Sequence, residues 1–336
     1  MNKICFGCGV KLQSTDPSAK GYIPEKRIND ATYCMRCFRM IHYGEVQTTN
    51  TPKDKKELIN KINKDDKFVV FLTDFLNINE EVVNIFKSIK KKKVLVINKC
   101  ELLPDHINKE KFASYIKNYY GINDEVKIKG GNGSHGARLI LNYLERNNIK
   151  ETYLLGISNS GKSTLINDLI KLTDSKIAKT TVNNKSNTTV DFIRVKLNNN
   201  LTLIDSPGFI LDKSLNNDVS NKDIIAYSLL MKDNDTIGLL DKEYFVNIDK
   251  STPIVFYSNA ENKSVIKKVY KNIPELSNKI EILEDNMDII IFGVGFITIK
   301  KKCTIKTNID LSFIEIRKSM LGDNHEDSCN EWYSCK

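Results

Sequence analysis

A chain of 336 residues, 40% hydrophobic and 28% charged, has room for two or three domains and the composition of an ordinary soluble globular protein. No apolar run reaches the length of a membrane span, and the opening Met1-Asn2-Lys3-Ile4-Cys5 lacks the apolar core of a leader, so a cytoplasmic chain without membrane attachment is expected. The formal charge of +9 is lopsided: residues 210–336 hold 17 Lys and Arg against 20 Asp and Glu, leaving 34 against 22 in residues 1–209. That excess suits a polyanionic partner, and equally a lysine-rich solvated surface.

Eight cysteines in such a chain read as metal ligands or buried thiols rather than disulfides. Cys5-x-x-Cys8 and Cys34-x-x-Cys37 are separated by 25 residues. Each pair is a turn that aims two sulfurs at one point, and four thiolates make a closed, structural zinc site. Gly9 follows the first turn, and the second opens an amphipathic stretch, 38–43, of helical pattern, with His42 on its surface. Lys20, Lys26, Arg27, Arg36 and Arg39 make this small module basic. It suits a phosphate backbone or a docking platform for the neighbouring domain.

After a charged linker and helix start, 51–66, the run Phe68-Val69-Val70-Phe71-Leu72-Thr73 is a buried strand ended by Asp74. Residues 80–92 have helical spacing, and Val94-Leu95-Val96-Ile97 is a second buried strand. Strand, helix, strand is a parallel unit, whose ligands bind at the carboxyl ends of the strands. There stand Asn98-Lys99-Cys100-Glu101. A carboxylate two residues after such a lysine can accept from N1–H and N2–H of guanine; the lysine stem can cover the base and the asparagine can brace a phosphate loop. A further strand, 126–128, leads into Lys129-Gly130, whose backbone can meet guanine O6, and a helix is expected over 137–144.

Thr152-Tyr153-Leu154-Leu155 launches Gly156-Ile157-Ser158-Asn159-Ser160-Gly161-Lys162-Ser163-Thr164, a complete G-x-x-x-x-G-K-S phosphate loop opening a helix. Its backbone from Gly156 through Ser158, Asn159, Ser160 and Gly161 to Thr164 is expected to wrap phosphates, with Lys162 on the β- and γ-phosphates and Ser163 on Mg²⁺. Thr189, with Thr188 as the fallback, is the candidate switch threonine for Mg²⁺ and the γ-phosphate; a plain hairpin into 192–195 is the other reading. The strand 201–204 delivers Asp205-Ser206-Pro207-Gly208, with Asp205 in the Mg²⁺ shell and the Gly208 amide on the γ-phosphate. Phe209 follows, where many G proteins carry a water-orienting glutamine, so intrinsic hydrolysis is expected to be slow.

In an ordinary small G protein the guanine reader follows the phosphate loop and the D-x-x-G; here it precedes both. Four cysteines ahead of that order, with Cys5-Phe6-Gly7-Cys8-Gly9, Asp16-Pro17, Gly21-Tyr22, Cys34-Met35-Arg36-Cys37-Phe38, Leu102-Leu103-Pro104 and 288–296, resemble the YqeH family of circularly permuted GTPases over nearly the whole chain. The resemblance implies a switch in assembly of the small (30S) ribosomal subunit that binds its rRNA, with GTP/GDP, Mg²⁺ and Zn²⁺ as ligands. It also implies K⁺ held by Asn159, and motif order G4-G5-G1-G2-G3. Glu101 stands for the usual Asp, Lys129-Gly130 for Ser-Ala, and Ser186-Asn187 for Pro-Gly. The competing reading is a nucleotide-gated RNA-binding scaffold with negligible turnover.

Beyond Ile210 no catalytic constellation stands out. Strands are expected at 253–257 and 288–299, a helix at 263–271, and buried thiols at Cys100 and Cys303. Lys300-Lys301-Lys302 suit RNA phosphates or a solvated sheet edge, and Cys329 and Cys335 fall in a polar tail. The expected architecture is an α/β, circularly permuted P-loop GTPase domain (51–215) between a four-Cys zinc finger (1–50) and an α+β RNA- or partner-binding domain (216–336), as a monomer.

Overall fold

The apolar runs become strands whose middles are buried on both faces, as parallel strands covered by helices require. In the computed structural model of the protein the described residues are 3–5, 10–17, 19, 21–28, 30–35, 38, 55–100, 103, 107–130, 134–173, 192–198, 200–215, 224–259 and 267–321. The chain divides into two units, Met1–Asp74 with Asn84–Glu101 and Ile122–Ile210, and Phe75–Val83 with Leu102–Gly121 and Leu211–Lys336.

The first unit contains a six-stranded sheet of order β3-β2-β1-β4-β6-β5. Its strands are β1 (Phe68–Asp74), β2 (Lys93–Asn98), β3 (Glu125–Ile128), β4 (Glu151–Gly156), β5 (Ile193–Lys196) and β6 (Thr202–Asp205). All pairings are parallel except β5 with β6. The chain enters at β1, builds outward through β2 and β3, then returns to lay β4 on the other side of β1. This reversal of direction is where open α/β sheets bind ligands.

One face carries a core of Val70, Leu72, Val94, Val96, Leu154 and Leu203 under α4 (Ser134–Arg146) and α5 (Lys162–Leu172), which contribute Ala137, Ile140, Leu144, Leu165, Ile166 and Leu169. Helix α1 (Lys55–Lys64) buries Leu58 and Ile62. Asn63 on α1 donates to Ser88 O (3.1 Å) and accepts from Lys90 N–H (2.8 Å), capping the end of the next helix, α2 (Glu80–Ser88). The expectation of helix to residue 92 is corrected accordingly.

The second unit holds two five-stranded antiparallel sheets. The order in one is β16-β13-β14-β10-β7 and in the other β11-β8-β9-β15-β12. In chain order the strands are β7 (Ile224–Met231), β8 (Asp235–Leu239), β9 (Tyr244–Ile248), β10 (Thr252–Asn259), β11 (Lys267–Val269), β12 (Asn278–Ile282), β13 (Met287–Ile291), β14 (Gly295–Ile299), β15 (Cys303–Thr307) and β16 (Ile314–Lys318). Ile254, Phe256, Ile289 and Ile297 of the first sheet share one core with Ile237, Val246, Ile280 and Ile305 of the second, a sandwich.

The helix expected over 263–271 is corrected: Lys267–Val269 is a strand paired with Thr236–Gly238 on β8. Residues 260–266 lie outside the described ones. Among the described residues from 224 onward there are strands and one 3₁₀ turn, Leu311–Phe313. Besides the first turn of α2, a whole α-helix of this unit comes instead from within 51–215. It is α3 (Lys109–Tyr119), capped by Asn108 Oδ1 on the amides of Glu110 and Lys111. Phe75 packs edge-on against Tyr257 and Phe296 and tilts against Phe112 of α3, covering the outer face of the first sheet. Among the described residues no helix is long and apolar enough to cross a membrane.

Candidate nucleotide site

Every parallel strand that neighbours the reversal of the sheet delivers a polar residue at its carboxyl end. These are Asp74 from β1, Asn98 from β2 and Asp205 from β6, all buried, with the phosphate loop following β4. Gly156 adopts φ +155°, and a methyl group there would lie 2.1 Å from Leu72 O, so only glycine lets the loop leave the sheet this closely.

Three segments far apart in sequence are stitched together. Asn98 Nδ2 donates to Ser160 O at 2.8 Å, tying the candidate guanine reader to the phosphate loop. The Ser158 amide donates to Phe209 O (2.8 Å) and the Phe209 amide to Gly156 O (2.9 Å), tying the D-x-x-G segment to the same loop. A methyl on Gly208 would stand 3.0 Å from Ser158 Oγ and 3.2 Å from Lys162 Nζ, so the two phosphate motifs meet. The Lys129 amide donates to Ile97 O at 2.8 Å, and Lys129 and Gly130 are buried beside the end of β2.

Burial pulls the Lys162 ammonium below the ordinary lysine range, and the Asp205 carboxylate pulls it back. Ser160 Oγ is buried without a hydrogen-bond partner among the described residues. Ser163 is half-buried, while Asn159 (φ +62°) and Thr164 are exposed. Phe209 is 1% exposed and stacks on Phe71 with ring centroids 5.9 Å apart, so its side chain belongs to the core and cannot orient water.

Asp74 was legible only as the residue that ends an apolar run. Its Oδ2 lies 3.7 Å from Lys99 Nζ. The available signal was an acidic side chain at the carboxyl end of a parallel strand. Glu101, Thr188, Thr189, Ser186 and Asn187 lie outside the described residues, as do Cys8, Cys37, Cys329 and Cys335.

Of the four proposed zinc ligands, Cys5 and Cys34 are described. Both are buried, and the Cys34 amide donates to Cys5 Sγ at 3.1 Å, so the leading cysteines of the two pairs meet. An amide donated to sulfur is the support a metal-bound thiolate takes. Among the described residues no group of three or more His, Cys, Asp or Glu gathers to hold a metal. Cys100 and Cys303 are buried, and burial pushes the Cys303 thiol up to about 11.

A family model for RsgA GTPases matches residues 47–212, and one for 50S ribosome-binding GTPases matches 151–283. The chain is 26% identical to the uncharacterized protein YqeH of Bacillus subtilis over 88% of its own length and 92% of that protein. It is 24% identical to nitric oxide-associated protein 1 of Mus musculus over 50% of this chain and 32% of that protein. To GTPase grn1 of Schizosaccharomyces pombe it is 25% identical over 37% and 30% respectively. The chain thus spans nearly all of the Bacillus relative and about a third of the other two.

Proposed function

We propose that this chain, a GTP-hydrolysing enzyme that belongs to the YqeH family of circularly permuted GTPases, is a switch in small (30S) ribosomal subunit assembly that engages rRNA or a pre-ribosomal particle. The observation that carries the nucleotide reading is the stitching of reader, phosphate loop and D-x-x-G by Asn98, Ser158 and Phe209. In this reading Lys162 meets the β- and γ-phosphates, the Gly208 amide meets the γ-phosphate, and the Lys129-Gly130 backbone with Glu101 reads guanine. Ser163, Thr189 and Asp205 offer oxygen donors, which fit the hard cation Mg²⁺. Mg²⁺ supplies neutralisation of charge on the transferring phosphoryl group. Asn159 is assigned to K⁺, a cation able to stand in for an arginine finger. Cys5, Cys8, Cys34 and Cys37 are assigned to structural Zn²⁺, for which thiolates are the fitting donors; metal analysis finding no zinc in folded protein refutes this.

Loss of the γ-phosphate at Asp205–Gly208 is transmitted along the chain, which passes into the second unit at Leu211. The burial of Phe209 favours slow turnover and keeps a scaffold reading in play. Single-turnover hydrolysis in K⁺ against Na⁺ separates the two: K⁺ stimulation supports the switch and Asn159, and turnover negligible in both salts supports the scaffold. One matching family model is named for the 50S subunit; the 30S assignment rests on the resemblance of the cysteine pairs and motif order to the YqeH family. Co-sedimentation with purified 30S and 50S subunits, in GDP and in a non-hydrolysable GTP analogue, is the test. Nucleotide-dependent pelleting with 30S supports the proposal, and pelleting with 50S alone, or with neither, overturns it.

A further inference from the structure

Asp74 has no part in the roles assigned above, yet it is one of the most buried charged groups at the site, 2% exposed at the last position of β1. In register it stands opposite Asn98, the residue that braces the phosphate loop, and its Oδ2 lies 3.7 Å from Nζ of the next residue, Lys99. Lys99 itself sits at φ +61°. A left-handed backbone is strained for a residue with a Cβ, and lysine has no short polar side chain to bond locally in compensation. Such outliers persist where the surroundings over-determine them.

We propose that Asp74 is a positioning residue of the nucleotide site, holding the Lys99 ammonium so that the lysine stem lies taut as an apolar rail for the face of a purine base. This rests on the guanine-nucleotide reading of the site. A lysine fixed only at its backbone keeps its rotamer entropy, which is lost when the stem is immobilised against a ligand. Held at both ends, its four methylenes are ordered before the base arrives, and affinity gains by that preorganisation. A buried ion pair is in itself weak support for stability, so stability alone does not account for a carboxylate kept at this strand end. The rail contacts the plane of a base, which guanine and adenine share, so it sets affinity and not the choice between them.

Calorimetric titration of GDP, ADP and inorganic pyrophosphate into wild type, Asp74→Asn, Lys99→Ala and the double variant tests this. Asp74→Asn is expected to weaken GDP about tenfold and leave pyrophosphate unchanged, and the double variant should bind GDP no more weakly than Lys99→Ala. Pyrophosphate binding also certifies that each variant is folded, and Lys99→Ala probes the pair from its more exposed side. Unchanged GDP affinity in Asp74→Asn, equal losses for GDP and pyrophosphate, or additive losses in the double variant each overturn the rail. Wild type that binds GDP and ADP alike sinks the guanine assignment, yet supports the rail if Asp74→Asn weakens both. Wild type that binds pyrophosphate but neither nucleotide overturns both.

Discussion

In the first unit the buried polar side chains Asp74, Asn98 and Asp205 gather where parallel strands end; in the second, Asp288, Thr298 and Arg317 are buried in the body of β13, β14 and β16. The second group is closed on itself. Asp288 accepts from Thr298 Oγ1 (2.7 Å), the Met320 amide (3.2 Å) and Arg317 Nε (3.4 Å). Arg317 also donates to Ile78 O and Tyr120 Oη, both at 2.7 Å, and Tyr120 donates to Glu315 at 2.8 Å. Among the described residues of the second unit no buried side-chain polar atom lacks a hydrogen-bond partner, whereas in the first unit Ser160 Oγ in the phosphate loop and Asp168 Oδ2 on α5 do. Buried polarity that is fully satisfied from within holds a structure; polarity left facing a strand end is arranged for something that binds.

The largest expected effect breaks the closed network. Arg317→Ala strands the Asp288 carboxylate in a fully buried position and should cost about 3–5 kcal/mol in chemical denaturation. Replacing both partners, Asp288→Leu with Arg317→Met, should cost far less, because no charge is then left unpaired. A small loss in the single variant would show that the pair does not hold the sheet.

Two glycines sharpen the contrast at similar geometry. A methyl on Gly156 would lie 2.1 Å from Leu72 O, and one on Gly295 (φ +142°) 2.0 Å from Tyr257 O. Each alanine substitution should destabilise by about 2–4 kcal/mol, since backbone rather than a flexible side chain blocks the methyl group. Only Gly156→Ala should also abolish GDP binding by the molecules that remain folded. If Gly295→Ala weakens GDP as much as it weakens the fold, the assignment of ligand chemistry to the first unit alone fails.

This difference also explains what the sequence makes legible. The parallel strands announce themselves as continuous apolar runs, and the phosphate loop as a spacing of glycine and lysine, because both requirements are local. Arg317 defeats the same logic: in Ile314-Glu315-Ile316-Arg317 the alternation points the arginine to solvent, yet Arg317 is 1% exposed and Ile316 is 39% exposed. Its partners Ile78 and Tyr120 lie 239 and 197 residues away, beyond any window of pattern. The end of α2 is equally non-local, set by Asn63 on another helix. Lys267–Val269 falls in a stretch whose pattern reads as a helix, and it is pairing with β8 that makes it a strand. Asp74 carried its information in which strand it ended and who stood opposite, which only the topology supplies.

The smallest expected effect asks whether the contrast belongs to the units or to the two edges of one parallel sheet. At the amino edge Asp65 accepts from Lys67 Nζ (2.6 Å) and from Tyr153 Oη (2.7 Å), while Arg194 donates to Glu151 at 2.8 Å. Burial raises the Asp65 carboxyl, but the bonds from Lys67 and Tyr153 outweigh it and leave its pKa below the ordinary value. A carboxyl depressed on folding contributes stability above its unfolded pKa, and that contribution is lost as pH falls toward the folded value. Asp65→Asn should therefore cost a few tenths of a kcal/mol at pH 7, roughly the worth of a partly exposed pair. Wild type and variant should converge as pH falls from the ordinary carboxyl range through the depressed folded value, where the wild-type carboxyl protonates. Urea midpoints at pH 7 and at a series of falling pH values measure this. Convergence would make the amino edge a closed network like that around Arg317, so that openness belongs to the carboxyl edge rather than to the unit; a gap independent of pH would remove Asp65 from that network.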